Sequence, residues 1–435
     1  MNGLQHHAST TDAPLPSDES PMTENGDVGN GTPCETPVPI KSIPLDGFDE
    51  FISRLGQPSY RKKQLLTWIY VRGVSSYDEM TDLPKSLRSM LEESHPLVPT
   101  KTIDRQISSD GTRKYVLELS DGTLVETVGI PSQDRNDDGA PKRLTVCFST
   151  QAGCPMGCVF CATGHTGFSR NLHAAEMIDQ VLAVQNDFDA RVSHLVVMGQ
   201  GEPFLNYKEV MVALHFMNAK SGLGIGARHI TVSTCGIVDG IELLSNENKQ
   251  YTLAVSLHSA RQNRRNDLMP GCRNQPLAQL KSSLIDYQNK TGRRVSFEYL
   301  MMRGINDGEQ DLEALIDFCR GLSCHVNLIP LNPINYLNLA EGSPNPCDTP
   351  RHQARGSKSK DVHLESSPLA SSSASTSENF QLGQILPSTS KTMRMWLDTL
   401  SQNRIETTTR NSRGADIDGA CGQLANKTRN TRHTL

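Results

Sequence analysis

The stretch Cys147-Phe-Ser-Thr-Gln-Ala-Gly-Cys154-Pro-Met-Gly-Cys158-Val-Phe-Cys161 decides how the chain reads. Its last three cysteines stand at a Cys-x3-Cys-x2-Cys spacing. A [4Fe–4S] cube normally takes four protein thiolates, so three leave one iron open to a small ligand. An open iron can chelate the amino and carboxylate groups of S-adenosylmethionine. The reduced cluster then splits the sulfonium to a 5′-deoxyadenosyl radical; the cofactors carry the hard chemistry and the protein aims it. The competing readings are a zinc site and three unrelated buried thiols. Zinc sites usually pair two Cys-x-x-Cys knuckles or add histidines. Here the nearest histidine, His165, follows at once and no second knuckle exists. The spacing favours the cluster, at the end of an expected strand.

Around this loop, composition sets bounds. The chain has 435 residues, enough for two or three domains and a large core. Its net charge of −5 advertises no global basic field of the kind that binds nucleic acid non-specifically. No run of eighteen apolar residues suggests a membrane span. Residues 1–45 lack an apolar leader core and carry Asp12, Asp18, Glu19 and Glu24, which argues against a secretory or transit peptide. Eleven unevenly spaced cysteines do not resemble a secreted disulfide framework. A reducing, cytoplasmic compartment is the expectation.

In chain order, residues 1–44 are rich in Ser, Thr, Pro, Gly and Asn and read as a disordered tail. Phe48, Phe51, Ile52, Leu55, Leu65, Leu66, Ile69, Leu83, Leu87 and Leu91 then recur at helical spacing, predicting a small helical domain over 45–100. Its triplet Arg61-Lys62-Lys63 suits either phosphates or a solvated helix face. Residues 101–139 read as a β-hairpin and linker, with strands 114–119 and 123–128 around Ser120-Asp121-Gly122. By composition alone Glu126 is an ordinary exposed strand residue.

From 140 to 337, strands near 144–148, 194–198, 229–233, 251–257, 295–302 and 325–329 alternate with helices. Six parallel strands so spaced predict an α/β barrel or a partial one. Polar and Gly-rich residues collect after the strands, where such sheets bind ligands. Residues 338–391, rich in Ser, Pro and Asn, read as a low-complexity insertion. An amphipathic helix with Met393, Trp396 and Leu400 opens the C-terminal segment, 392–435. The end of the chain is locally basic through residues that include Arg404, Arg410 and Arg413.

Taken together, the three-cysteine loop, Gly201-Glu202-Pro203, Ser233-Thr-Cys-Gly236, Ser256-Leu-His258, Asn332-Pro333 and Arg413-Gly-Ala-Asp-Ile-Asp-Gly-Ala-Cys421-Gly-Gln-Leu424 closely resemble the RlmN family of radical S-adenosylmethionine RNA methyltransferases. The similarity covers about residues 45–337 and 392–430; the tail and the insertion fall outside it, and in the family the latter connection is much shorter. The cysteine loop alone marks only the radical superfamily. The Cys421-Gly-Gln-Leu motif is more diagnostic.

The resemblance implies a radical-enzyme partial TIM-type barrel, with one [4Fe–4S] cluster on Cys154, Cys158 and Cys161. Two S-adenosylmethionine molecules would be consumed per methylation. The first methylates Cys421; the second yields the radical that takes a hydrogen from the S-methyl group. The resulting methylene adds to adenine C2. Glu126, in Val125-Glu-Thr-Val-x-Ile-Pro131, matches the family's general base. Cys147 matches a second cysteine whose thiolate attacks Cys421, forms a transient disulfide and frees the methylated base. Gly201, Glu202, Ser233, Ser256, Leu257, His258 and Asn332 match positions contacting S-adenosylmethionine. The implied substrates are 23S ribosomal RNA and the adenosine beside the anticodon in some transfer RNAs. The implied electron donor is of the flavodoxin and flavodoxin reductase type, and the chain is expected to act as a monomer. Arg261, Arg264, Arg265 and Arg293-Arg294 are candidate phosphate contacts. Two rivals remain: a relative that methylates C8 of the same adenine, and an RNA-binding protein with a structural cluster and no turnover.

Overall fold

The computed structural model describes residues 37–97, 100–332, 334 and 385–425. Most of the tail and of the insertion, with Cys34, Cys347 and the basic residues after 425, lies outside the described residues. Residues 37–44, assigned to the tail by composition, include a turn, Ile40–Ser42, in which Ile40 and Lys41 are buried. Lys41 forms a buried ion pair with Asp179.

Three helices follow: α1 (Phe48–Arg54), α2 (Tyr60–Leu66) and α3 (Lys85–Ser94). The apolar residues at helical spacing turn inward, as expected; Phe48, Phe51, Ile52, Leu65, Leu66, Leu87 and Leu91 are buried. Of the basic triplet, Lys62 pairs with Asp49 at 2.7 Å and Arg61 bonds Gln64 at 2.7 Å, so only Lys63 is fully presented to solvent.

The strands then build one ten-stranded sheet. Antiparallel β1 (Lys101–Ile107), β2 (Arg113–Glu118) and β3 (Leu124–Pro131) attach to β4 (Leu144–Cys147). The cysteine loop follows β4, bracketed by a two-stranded sheet of β5 (Gln151–Gly153) and β6 (Phe168–Asn171), with α4 (Ala162–Thr166) between them. Next come α5 (Ala174–Phe188), β7 (His194–Val197), α6 (Tyr207–Asn218), β8 (Ile230–Thr234), α7 (Val238–Asn246), β9 (Thr252–Ser256), α8 (Gln262–Leu268), α9 (Leu277–Thr291), β10 (Val295–Met301), α10 (Glu309–Cys319) and β11 (Cys324–Pro330). The chain ends with α11 (Ser390–Gln402) and β12 (Glu406–Thr409).

The sheet order is β1-β2-β3-β4-β7-β8-β9-β10-β11-β12. Strands β4 and β7 to β12 run parallel. Each parallel step is crossed by helix, so both faces of the interior strands are covered. The first and last strands do not pair with each other, so the barrel is partial. Strand β12 and helix α8 are among the elements not expected from the sequence. Strand β12, Glu406-Thr-Thr-Thr, is a short edge strand without apolar alternation. Helix α8 takes up the run of arginines after His258 and turns Arg265 inward, fully buried.

Helix α11 docks through the expected seam of Met393, Trp396 and Leu400. The Trp396 ring lies 5.1 Å from that of Tyr299, and its indole N–H donates to the Asp307 carbonyl at 3.2 Å. Trp396→Ala should therefore cost about 3–5 kcal/mol of stability, read by urea unfolding. An unchanged midpoint would mean that α11 is not part of the folded core.

Candidate active site

Cys154, Cys158 and Cys161 line one cavity of about 160 Å³ at the carboxyl ends of the parallel strands. Gly201 and Glu202 after β7, Ser233 at the end of β8, and Ser256 and His258 at and after the end of β9 line the same cavity. The three thiols are free of disulfides. Burial pushes all three up, Cys154 to about 12, so they need a cation to become thiolates. Among the described residues, no three Cys, His, Asp or Glu side chains are placed to hold a metal ion. A [4Fe–4S] cube takes each thiolate on a different iron, and this donor set fits it.

Local constraints fix the rest of the cavity wall. Gly201 has φ 105°, and a Cβ there would stand 2.7 Å from Gln151 Cβ, so only glycine fits. Glu202 accepts from the Cys235 amide at 2.7 Å and the Phe204 amide at 3.1 Å, which locks its carboxylate although burial pushes its pKa up. His258 accepts the Leu300 amide at Nδ1, 3.0 Å, and burial, then Arg265, lower its pKa to about 3. The ring is therefore neutral, with its proton assigned to Nε2. Leu257 differs from expectation. Its side chain is fully buried in the main core, so only its backbone is available to a cofactor.

The C-terminal segment closes over this cavity. The Ala162 amide, directly after Cys161, donates to the Gly422 carbonyl at 2.7 Å, and the Thr163 hydroxyl donates to the Leu424 carbonyl at 2.7 Å. Asn332 does not line the cavity; its side-chain amide donates to the Cys421 carbonyl at 3.3 Å. Cys421 is exposed and lines both the first cavity and a second one of about 260 Å³, which also contains Cys147. Cys147, on β4, packs with Val128 and Leu424. Burial, then Cys421, push its thiol up to about 12, against a pull from Arg410.

Glu126 is not an exposed strand residue: it is fully buried. One carboxylate oxygen lies 3.3 Å from Lys114 Nζ, and the other accepts the Ala425 amide at 2.7 Å. The basic residues also move. Arg410 lines both cavities and stands 3.8 Å from Glu298. Arg413 binds Asp110 at 2.8 Å. Arg265 donates to Met269 Sδ and the Cys235 carbonyl, Arg261 pairs with Asp311, and Arg294 with Glu406. Arg265 is buried, whereas the Arg261 and Arg294 side chains are 40% and 50% exposed beside their acidic partners. Sequence reasoning missed Lys114, Arg410 and Asp110 as parts of the site; the only local signal was a charged residue inside an apolar strand at Lys114.

A family model described as the radical SAM superfamily matches residues 148–319, and one described as the ribosomal RNA large subunit methyltransferase N-terminal domain matches residues 40–96. A protein of Trichormus variabilis named as a probable dual-specificity RNA methyltransferase RlmN is 40% identical over 91% of this chain and 95% of its own length. One of Trichodesmium erythraeum with the same name is 47% identical over 71% of this chain and 85% of its own. A solved radical SAM methyltransferase from Sphaerobacter thermophilus superposes with a TM-score of 0.73, at 35% identity over 90% of this chain and all of that one.

The turn between β1 and β2 clamps the C-terminal segment. Asp110 takes Arg413 and the Gly414 amide, while Asp416 takes the Ser108 hydroxyl and the Ser109 amide. Partial burial opposes ionisation of Asp110, but bonds from Thr112 and Gly414 and the Arg413 guanidinium outweigh it and hold its pKa at about 2. A lowered folded value means that the clamp contributes above the unfolded carboxylate's pKa of about 4 and is lost as pH falls toward the folded one. Asp110→Ala should cost about 1 kcal/mol locally after allowing for its partial exposure. Limited proteolysis within residues 410–425 should then run about fivefold faster at neutral pH; an unchanged rate would show that the clamp holds nothing.

Proposed function

Because the chain belongs to the RlmN family, we propose that it methylates C2 of an adenosine in 23S ribosomal RNA and of the adenosine beside the anticodon in some transfer RNAs. The observation that carries this reading is the position of Cys421, on the wall shared by the cavity of Cys154, Cys158 and Cys161 and the cavity of Cys147. An ordinary methyl transfer needs a nucleophile, and adenine C2 is electrophilic, so a carrier between two chambers suits this chemistry.

When bound, the cluster and S-adenosylmethionine supply a methyl group and, separately, a hydrogen-abstracting radical. The chain's own residues do the rest. Gly201 gives the cofactor close access to the backbone, and neutral His258 presents a donor. Cys421, exposed on the common wall, accepts the methyl group and carries it toward the base. A base extruded from its stack enters the second cavity. Glu126, buried beside the second cavity rather than on its wall, takes the C2 proton once C2 is bonded to the methylene carbon carried on the Cys421 sulfur. The Cys147 thiolate then attacks the Cys421 sulfur: the S–S bond forms, the bond from that sulfur to the methylene carbon breaks, and the carbon leaves with the electron pair on the base and takes up a proton to become the methyl group. Leu424 packs over Cys147 and shields that sulfur.

Nucleoside mass spectrometry of RNA from cells with and without the gene tests this. Loss of 2-methyladenosine, restored by the wild-type chain but not by Cys421→Ala, is expected. Cys147→Ala should retain RNA covalently, visible as a protein–RNA adduct on denaturing gels. A change in 8-methyladenosine instead would overturn the C2 assignment, and no change in either would leave a binding protein.

A further inference from the structure

Lys114, which with Glu126 is buried outside the walls of both cavities, is a group that neither the cysteine loop nor the cofactor motifs explain. It lies on β2, where Lys114 pairs with Val128 and Val116 with Glu126 across the antiparallel ladder. Lys114 and Glu126 are therefore diagonal neighbours on one face, within reach of long side chains. Their side chains are 3% and 0% exposed, and Nζ lies 3.3 Å from Oε1. The same face holds Val128, and Leu424 of the C-terminal segment covers it.

A buried ion pair is a poor way to stabilise a fold, because desolvating two charges offsets most of their attraction. The apolar surroundings of β2 and β3 would accept two aliphatic side chains at less cost. A buried carboxylate without a cation takes up a proton and ceases to be a base. With the cation in place, it stays ionised and dry. Its other oxygen is oriented by the Ala425 amide, four residues beyond the proposed methyl carrier.

We propose that Lys114 is the positioning residue of the proton-accepting step, holding Glu126 as an ionised, oriented carboxylate beside the segment that carries Cys421. The inference rests on the reading of Glu126 as the base. In the step itself the adenine C2–H bond breaks, its electron pair stays on the base, and the proton passes to a Glu126 oxygen. Lys114 forms no bond to the substrate. It acts by keeping that oxygen free of a proton beforehand and by aiming it.

The test compares Lys114→Met, Lys114→Arg and Glu126→Gln in reconstituted full-length protein. Each is assayed for methylation of Cys421 by mass spectrometry of the protein, for covalent protein–RNA adduct, and for 2-methyladenosine formed. The expected result for Lys114→Met is normal Cys421 methylation, adduct accumulation, and product formation slowed roughly 10- to 100-fold, within the range that general-base effects span. Lys114→Arg should recover most of the rate, since it restores the charge. Removing one partner strands the other charge, so the double variant Lys114→Met/Glu126→Gln serves as the folding control and should melt above Lys114→Met.

Wild-type turnover in Lys114→Met, alongside a Glu126→Gln that stalls with adduct, would overturn the role of Lys114 and leave Glu126 as the base. Wild-type turnover in Glu126→Gln would overturn the reading of Glu126 itself. Loss of Cys421 methylation in a folded Lys114→Met, or no recovery in Lys114→Arg, would make the lysine architectural and overturn the proposal.

Discussion

The hydrogen bond from the Ala162 amide to the Gly422 carbonyl ties the two chemical halves of the molecule together. The first amides of a helix have no partner within it, and α4 begins immediately after Cys161. One of those amides is satisfied by a carbonyl 260 residues further along the chain, next to the cysteine that lies between the two cavities. Gly422 can come this close because it adopts φ 83° and has no Cβ, which would otherwise sit 3.2 Å from the Phe160 carbonyl. The Thr163 hydroxyl repeats the attachment one residue later, at Leu424. The cluster loop and the C-terminal segment thus cannot be placed independently.

The antiparallel extension has a matching role on the other side. Strands β1 to β3 do not belong to the parallel core, yet β3 covers the edge of β4 and so encloses Cys147. The Ser149 hydroxyl, just beyond β4, donates to the Glu126 carbonyl at 2.6 Å, which fixes the carboxylate-bearing strand against the start of the cysteine loop. The β1–β2 turn reaches further and grips Arg413 and Asp416. The parallel barrel supplies a floor for the cofactor, and the hairpin extension and C-terminal segment build the second chamber on top of it.

The parallel strands were legible because a strand covered on both faces is a plain apolar run, as in Tyr251–Leu257. The cysteine loop was legible because its ligand spacing is local. What failed to show was set by contacts distant in sequence. Glu126 looks exposed within its own strand, and its burial comes from Lys114 on the neighbouring strand and from Leu424 and Ala425, about 300 residues away in the chain. Arg410 and Arg413 look like a basic tail, since composition cannot reveal that Glu298 and Asp110 await them. Leu257 lies in a motif that lines the cavity on either side, and strand alternation turns its side chain into the core. Strand β12 has no hydrophobic pattern because it closes an edge.

Burial also orders the chemistry in time. The reactive form of a cysteine is its thiolate, and the Cys147 thiol is pushed up to about 12 in the closed arrangement, so at neutral pH it is protonated and quiet. Cys421 is exposed on the wall it shares with the cofactor cavity. On the proposed reading, an oxidant that joined Cys147 and Cys421 as a disulfide before any methyl group was loaded would remove the carrier. Leu424 and Val128 pack against Cys147, while Arg410, on the wall of both cavities, exerts the opposing pull toward thiolate. As long as the segment stays down, burial outweighs that pull. Any movement that wets the second cavity weakens the desolvation penalty but leaves the arginine's charge in place. On the proposed reading, the same displacement that admits a base also brings the resolving sulfur toward reactivity.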